Sequence, residues 1–213
     1  MSDRRYKTIA DHYEACLARH GDSHLGVDWP TQEDADKRYS VMLGVVRENN
    51  AGLSLLDFGC GASHLYSYLK RSSLDRLEYH GLDVSRAFCD LSRSKYPQNN
   101  YYCLDVLAEP EGLPFFDYVV MNGVFTEKLD LDFEEMLGFF TQVLRVVFPK
   151  VRIGLAFNVM STFVDWERDD LFHLPIETLA VFLTRELSRH FVIRNDYGLY
   201  EYTAYVYKEP SCV

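Results

Sequence analysis

The stretch Leu55–Ser63, LLDFGCGAS, consists of an apolar run, an acid and two glycines that flank a cysteine. The apolar run predicts a buried β-strand that ends at Phe58, and the glycines then form the turn into a helix. Ligands of open α/β sheets bind beyond the carboxyl ends of the strands, and glycine lets the backbone approach a ligand because it has no Cβ. Gly59 and Gly61 are therefore candidate ligand-binding residues, although an ordinary strand-to-helix turn has the same composition.

The glycine loop matches neither of two common nucleotide-phosphate motifs. The pattern GxxxxGK[ST] is absent, and in the pattern GxGxxG the third glycine would stand at position 64, which is His64. This second mismatch weakens the hypothesis of a dinucleotide site without eliminating it. A nicotinamide-dependent oxidoreductase therefore stays open as an alternative function.

Two further predicted strands end in an acid, in the sequences HGLDVS and YYCLDVL. Asp83, roughly twenty residues beyond the glycine loop, can accept hydrogen bonds from both hydroxyls of a ribose. Asp105 is suitably placed to accept one from an adenine amino group. A single strand-end Asp is often only a helix cap or a turn residue. Three strands that end in LDF, LDV and LDV nevertheless favour a shared binding site.

Short strands alternate with helices from residue 53 onward, which predicts βαβ units and a mainly parallel sheet. The predicted strands lie at 53–58, 77–84, 100–106, 116–123 and 152–160, and an antiparallel pair is predicted within 190–208. Two helices are predicted before residue 50. We therefore expect a single domain over residues 1–213, with a helical cap at 1–50 and a doubly wound α/β core at 51–213.

The composition disfavours several classes of function. The net charge of −10 offers no visible basic footprint for the phosphates of a nucleic acid. Five scattered cysteines without a CxxC pair are typical of a reduced, intracellular protein. No apolar run approaches the length of a membrane span. We expect a cytoplasmic protein that acts on a small molecule and binds neither nucleic acid nor a membrane; the sequence indicates no oligomeric state.

Four strand-end motifs together resemble those of the class I S-adenosylmethionine (SAM) dependent methyltransferases, over roughly residues 53–208. They are LLDFGCGAS, GLDVS, CLDVL and FDYVVMNGVF, in the family's order and at matching spacing. The resemblance implies a Rossmann-like, mostly parallel seven-stranded sheet with one antiparallel strand at its C-terminal end. It also implies SAM as cofactor and S-adenosylhomocysteine (SAH) as product. The cofactor-binding residues that it implies are Tyr13, Arg38, Asp57, Gly59, Gly61, Asp83, Val84, Asp105, Val106, Asn122 and Gly123.

Two details qualify the resemblance. The family often has a third glycine after GxG, where this chain has Ala62, which is small enough for the loop. The metal-dependent branch has clustered acids near the fourth motif, and MNGVFTEKLD does not match it, so we predict no catalytic metal. Segments such as GVDWPTQEDADKRYSVML and DYGLYEYTAYVYK further resemble small bacterial methyltransferases associated with polysaccharide or specialised-metabolite pathways.

Methyl transfer from a sulfonium is an in-line displacement with an activated donor, so the protein mainly has to supply orientation and a dry site. A general base is optional for an amine and more useful for a hydroxyl. His173 is the predicted base because its unperturbed pKa lies near neutrality. The charge run around it, DWERDDLFH, is read either as a solvated face or as a lid whose acids attract a cationic amine. The predicted acceptor-binding residues are Trp29, Phe125, Lys128, Asn158, Met160 and Trp166.

The sequence thus predicts a methyltransferase that acts on a nitrogen or oxygen of a small molecule, such as a sugar, an amino-acid derivative or another metabolite. Besides the oxidoreductase, a second alternative is a non-catalytic protein that binds SAM and a partner protein.

Overall fold

The structure is a computed structural model, and it describes residues 5–48 and 50–211. Cys212, one of the five cysteines, lies outside the described residues. The helices are α1 (Lys7–His20), α2 (Gln32–Leu43), α3 (His64–Leu69), α4 (Arg86–Lys95), α5 (Phe133–Val147) and α6 (Ile176–Phe182). The strands are β1 (Ser54–Phe58), β2 (Glu78–Asp83), β3 (Asn100–Cys103), β4 (Phe116–Met121), β5 (Val151–Met160), β6 (Phe191–Arg194) and β7 (Glu201–Tyr207).

The strands form one seven-stranded sheet in the order β3-β2-β1-β4-β5-β7-β6. β7 pairs antiparallel with both β5 and β6, while the strand pairs from β3 to β5 are all parallel. This is the predicted doubly wound, mostly parallel sheet with an antiparallel C-terminal strand, so the predicted fold class is confirmed. The strand order reverses between β1 and β4, and such a switch point opens a crevice at the carboxyl ends of these strands.

Consecutive strand residues point to opposite faces of the sheet, and both faces are buried. In β1, Leu56 belongs to the core between the sheet and α5, and Leu55 belongs to the core beneath α2 and α3. Val119 and Val120 of β4 alternate in the same way. Buried runs such as SLLDF therefore form central strands that are covered by helices on both sides.

The longest helix, α5, begins where the sequence pattern predicts it. Asp132 and Glu135 form a reciprocal capping box that satisfies backbone N–H groups at the helix start. Phe140, on the buried stripe of α5, has its ring centroid 4.9 Å from that of Phe125 and 5.3 Å from that of Phe157. These aromatic contacts hold α5 against β4 and β5, next to the crevice.

Three strands end earlier than predicted: β2 by one residue, β4 by two and β3 by three. β3 ends at Cys103 instead of Val106, because Asp105 forms a turn in which its Oδ1 accepts from the backbone N–H of Leu107 (3.1 Å) and Ala108 (3.3 Å). A side chain that accepts from the backbone two and three residues later favours a turn over an extended strand. Among the described residues, no helix combines the length and the apolar character that a membrane crossing requires.

Candidate functional site

The glycine loop after β1 is attached to the end of β2. Gly59 (φ +72°) and Gly61 (φ +51°) both adopt the left-handed backbone conformation that favours glycine. The backbone N–H groups of Gly59 and Cys60 donate to the Leu82 carbonyl oxygen at 2.7 and 2.9 Å. A Cβ on Gly59 would lie 2.8 Å from a methyl carbon of Val124. The loop therefore needs its glycines both for backbone shape and for close packing.

Asp57 lies buried beneath this loop, at the end of β1. The Tyr79 hydroxyl donates to its Oδ2 at 2.7 Å. Burial raises the pKa of the Asp57 carboxyl to about 7, since the hydrogen bond from Tyr79 only partly offsets the loss of solvent. Asp57 lines the cavity described below.

Asp83, at the end of β2, connects the loop to the start of α4. Its Oδ2 accepts from the Gly61 backbone N–H and its Oδ1 from that of Ser85, both at 2.9 Å. Burial raises the pKa of Asp83 to about 6, which leaves the carboxyl mostly ionised at pH 7. Each oxygen of an ionised carboxylate has a second lone pair, so Asp83 can still accept hydrogen bonds from a ligand.

Asp105 is the third strand-end acid, and helix α1 covers it. The Tyr6 hydroxyl donates to its Oδ2 at 3.0 Å, and the Lys7 ammonium lies 3.5 Å from the same oxygen. Its side chain also caps the turn that ends β3. Asp105 thus stays at the rim of the crevice even though it is not part of the strand.

Asn122 and Gly123 follow β4 directly. The Gly123 backbone N–H donates to the Asn158 side-chain oxygen at 2.8 Å. The Asn122 side-chain oxygen is buried and accepts no hydrogen bond from any described residue. A Cβ on Gly123 would lie 2.8 Å from the ring of Trp29, so the indole packs directly on this glycine. The unpartnered oxygen offers an acceptor to a ligand donor, because buried polar groups normally have partners.

These strand ends line one cavity, which we call the first cavity. Apolar side chains from the helices, among them Val27 and Phe139, form its other walls. The first cavity brings together ten of the eleven predicted cofactor residues, namely Tyr13, Asp57, Gly59, Gly61, Asp83, Val84, Asp105, Val106, Asn122 and Gly123. Sequence reasoning missed Val27 and Phe139, because an apolar or aromatic residue on a helix stripe carries no sign of whether it faces a core or a ligand.

A second cavity, of about 540 Å³, lies on the other side of Trp29, whose indole lines both cavities. Trp29, Met160, Trp166 and His173 line the second cavity, as does Arg38. Three predicted acceptor residues do not line either cavity: Phe125, Lys128 and Asn158.

Each of these three has an identifiable structural contact instead. Phe125 is fully buried in the aromatic core against α5. The Lys128 ammonium donates to the backbone oxygens of Leu131 and Asp169. Asn158 is fully buried, accepts from Gly123 and donates to Glu201 Oε1 at 3.0 Å. None of the three is therefore retained as an acceptor contact.

Arg38, the eleventh predicted cofactor residue, takes part in a buried ion pair. Its Nε and Nη2 donate to Glu201 Oε2 at 2.9 and 2.8 Å, and its guanidinium stacks 4.3 Å from the Trp29 ring centroid. Glu201 in turn accepts from Asn158, so hydrogen bonds run from Arg38 through Glu201 and Asn158 to Gly123. This position explains why Arg38 lines the second cavity and not the first: its charge is used to neutralise Glu201.

His173, the predicted base, has both ring nitrogens engaged with backbone groups. Nδ1 lies 2.6 Å from the Ser161 carbonyl oxygen, which fixes the proton on Nδ1, and Nε2 accepts from the Arg168 backbone N–H at 3.2 Å. A nitrogen that already accepts a hydrogen bond is not free to take a proton from a substrate. His173 therefore connects the two ends of segment 161–173, and we do not retain it as the base.

Comparisons with known proteins find similarity to methyltransferases. Residues 56–147 match the model of a family described as "Methyltransferase domain". A Mycobacterium tuberculosis (strain H37Rv) protein named "Putative methyltransferase Rv1506c" is 28% identical over 159 residues, which cover 73% of this chain and 93% of that protein.

Two solved structures illustrate how far the fold is shared. Magnesium protoporphyrin IX methyltransferase from Synechocystis PCC 6803, crystallised with bound SAM, superposes with a TM-score of 0.65 at 13% identity, covering 98% of this chain and 100% of that one. Human N-acetylserotonin methyltransferase in complex with SAM has a TM-score of 0.60 at 12% identity, covering 98% of this chain and 68% of that one. At these identities the likeness concerns the fold.

Proposed function

We propose that this chain is a class I SAM-dependent methyltransferase that binds SAM in the first cavity and transfers its methyl group to a nitrogen or oxygen of a small molecule. The observation that carries the proposal is the convergence of four strand ends on the first cavity. There, Asp57, Asp83, Asp105 and Asn122 supply polar groups around apolar walls.

The residues present fit the three chemical parts of SAM. Asp83 has lone pairs left for the ribose hydroxyls, and Asp105 lies at the rim where an adenine amino group is expected. The unpartnered Asn122 oxygen and the glycine loop fit the amino end of a methionine. The first cavity has two acids deep within it and no P-loop, which suits a cationic nucleoside better than a diphosphate.

The role of the chain in this chemistry is to position the reactants and exclude water. SAM, when bound, supplies a methyl group that is already activated on a sulfonium. Trp29 packs on Gly123 between the two cavities, so its indole stands where a cofactor and an acceptor would meet. We propose the second cavity as the acceptor site on this ground.

Calorimetric titration with SAM and SAH tests the cofactor assignment. We expect both to bind the wild type and a matched surface variant, Asp75→Asn, equally well, since Asp75 is exposed and lies outside both cavities. Asp83→Asn should weaken both. Absence of binding at high micromolar concentrations of either compound would refute the proposal.

Turnover and a nicotinamide control separate the alternatives. A non-catalytic SAM-binding protein would bind SAM but form no SAH with any member of a broad acceptor panel. An oxidoreductase would change the fluorescence of NADH on mixing. His64 stands at the third-glycine position of the dinucleotide motif, and this disfavours the oxidoreductase. The association with polysaccharide or specialised-metabolite pathways remains a prediction.

A further inference from the structure

The second cavity carries an excess of negative charge. Five carboxylates and two guanidinium groups line it, which is an excess of three negative charges when all are ionised. Arg38 is already paired with Glu201, and Arg168 is paired with Asp170. Within the part of the chain that the structure describes, the other carboxylates lack an arginine or lysine partner: they are Asp28, which pairs with His12, and Asp34, Glu127 and Asp165.

Aromatic side chains surround the mouth of the same cavity. Trp29 forms one wall, and Trp166 and Tyr200 line it while remaining 73% and 64% exposed. Large exposed aromatic residues that cluster at one opening indicate a binding surface. The faces of such rings attract cations within about 6 Å, most strongly in the case of Trp. The negative charge of the cavity and its aromatic rings are two independent features, and both favour a cationic ligand.

A buried donor of the second cavity also lacks a partner. Nη1 of Arg38 makes no hydrogen bond to any described residue, although Nε and Nη2 of the same side chain do. A ligand oxygen near Trp29 would satisfy it. The cavity thus has an acidic and aromatic region together with one donor for an oxygen.

Among the carboxyl groups that line the second cavity, that of Glu127 is the closest in sequence to the loop that follows β4. Glu127 follows Thr126, whose hydroxyl donates to the Gly123 carbonyl oxygen at 3.1 Å. Glu127 is half-buried, and burial raises the pKa of its carboxyl to about 7, with Asp28 and Asp170 adding to the rise. Arg168 and His12 act in the opposite direction. Near neutral pH this group can exchange a proton with a ligand.

We propose that the second cavity takes an amine as the methyl acceptor, bound as a cation between Glu127 and the aromatic mouth, and that Glu127 accepts its proton. The proposal rests on the proposed function and names the acceptor class of the same site. The ammonium N–H proton moves to the Glu127 carboxylate and leaves a neutral amine with a free lone pair. That lone pair forms the N–C bond to the methyl carbon while the C–S bond breaks, and the bonding electrons remain on sulfur.

Binding of a matched pair of probes to the SAH-loaded protein tests this assignment. Tyramine and 4-(2-hydroxyethyl)phenol share a phenol oxygen and differ only in an ammonium against a hydroxyl. Ligand-observed NMR should show tyramine binding about 10-fold more tightly, with a difference that shrinks as salt rises. Glu127→Gln should weaken tyramine about 5- to 10-fold and leave the alcohol unchanged. Glu134→Gln, an exposed acid outside both cavities, is the control.

Proton release distinguishes contact with Glu127 from a merely structural effect. Calorimetry in two buffers of different ionisation enthalpy should show release of about half a proton per tyramine at pH 7, because Glu127 with a pKa of about 7 is half protonated before binding. Glu127→Gln should release none. Equal binding of the alcohol, no binding of tyramine at 20 mM, or unchanged proton release in Glu127→Gln would each overturn the proposal. If SAH itself fails to bind, the proposed function fails instead.

Discussion

The ion pair between Arg38 and Glu201 makes the stability of this protein depend on a contact between α2 and β7. We consider Arg38→Met, which keeps an apolar side chain against Trp29 but removes the guanidinium. Glu201 is 1% exposed, and its remaining hydrogen-bond partners would be Asn158 and Tyr197. The variant therefore leaves a carboxylate buried without a countercharge.

We expect Arg38→Met to lower the free energy of unfolding by an amount that is large for a single substitution. Removal of one partner of a buried pair destabilises a protein by about 3–5 kcal/mol. For a domain of this size, each kcal/mol lowers Tm by roughly 2–4 °C, so Arg38→Met should melt about 6–20 °C below the wild type. The double variant Arg38→Met/Glu201→Gln should regain most of this loss, because a neutral amide no longer needs a countercharge and still accepts from Asn158.

The stability of Arg38→Met relative to the wild type should decrease as pH rises. Burial raises the pKa of Glu201, and the Arg38 guanidinium opposes that rise. Without Arg38, folded Glu201 holds its proton to higher pH than the unfolded chain does, so the folded state binds more protons and stability falls as pH increases. The deficit of Arg38→Met relative to the wild type should therefore be greater at pH 8 than at pH 5.

Thermal unfolding of the wild type, both single variants and the double variant at pH 5 and pH 8 measures these effects. Glu201→Gln completes the double-mutant cycle, since it removes the carboxylate and leaves the Arg38 guanidinium, 11% exposed, without an acidic partner. Melting of Arg38→Met within 2 °C of the wild type at pH 8, or a deficit that does not change with pH, would refute the reasoning.

Three further predictions concern the first cavity and the core beside it. Asp83→Asn should weaken SAH binding roughly 10- to 100-fold, as expected for loss of hydrogen bonds to a charged acceptor. Because the pKa of Asp83 is about 6, wild-type affinity measured by calorimetry should fall as pH drops from 7.5 to 5. The fall should be smaller in the variant, in which Asp57, with a pKa of about 7, still takes up a proton. Gly123→Ala places a Cβ 2.8 Å from Trp29 at φ +78°, so it should shift the tryptophan fluorescence and weaken SAH binding, and unchanged values of both would contradict the packing described. Phe140→Ala should lower the free energy of unfolding in urea by about 3–5 kcal/mol, and a loss below 1 kcal/mol would show that this ring is not a central core contact.

Much of the fold and the first cavity was predictable because their signals are local. Alternating strands and helices, the capping residues and the strand-end motifs all lie within short windows of sequence. Parallel strands bring their carboxyl ends to one edge, so Asp57, Asp83 and Asn122 had to converge once the sheet was recognised. Asp105 also lines the first cavity, even though the turn that it forms ends β3 three residues early.

The residues that bind the methyl acceptor, and the base, were less predictable from the sequence. Phe125 and Asn158 lie at or just beyond strand ends near the site. However, Asn158 accepts a hydrogen bond from Gly123, and Phe125 packs in the aromatic core. Histidine is a residue type that often serves as a base, yet backbone groups occupy both ring nitrogens of His173. Residue type and position do not reveal which hydrogen bonds a side chain has already made.

The sequence by itself determined the order of the elements, the left-handed glycine loop and the row of polar strand ends, since each follows from backbone preferences and side-chain periodicity over a few residues. Only the tertiary structure decided that Arg38 pairs with Glu201, 163 residues away, and that Trp29 packs on Gly123 between two cavities. The physical reason is that burial and charge compensation depend on which distant segments meet, and no local pattern encodes that meeting.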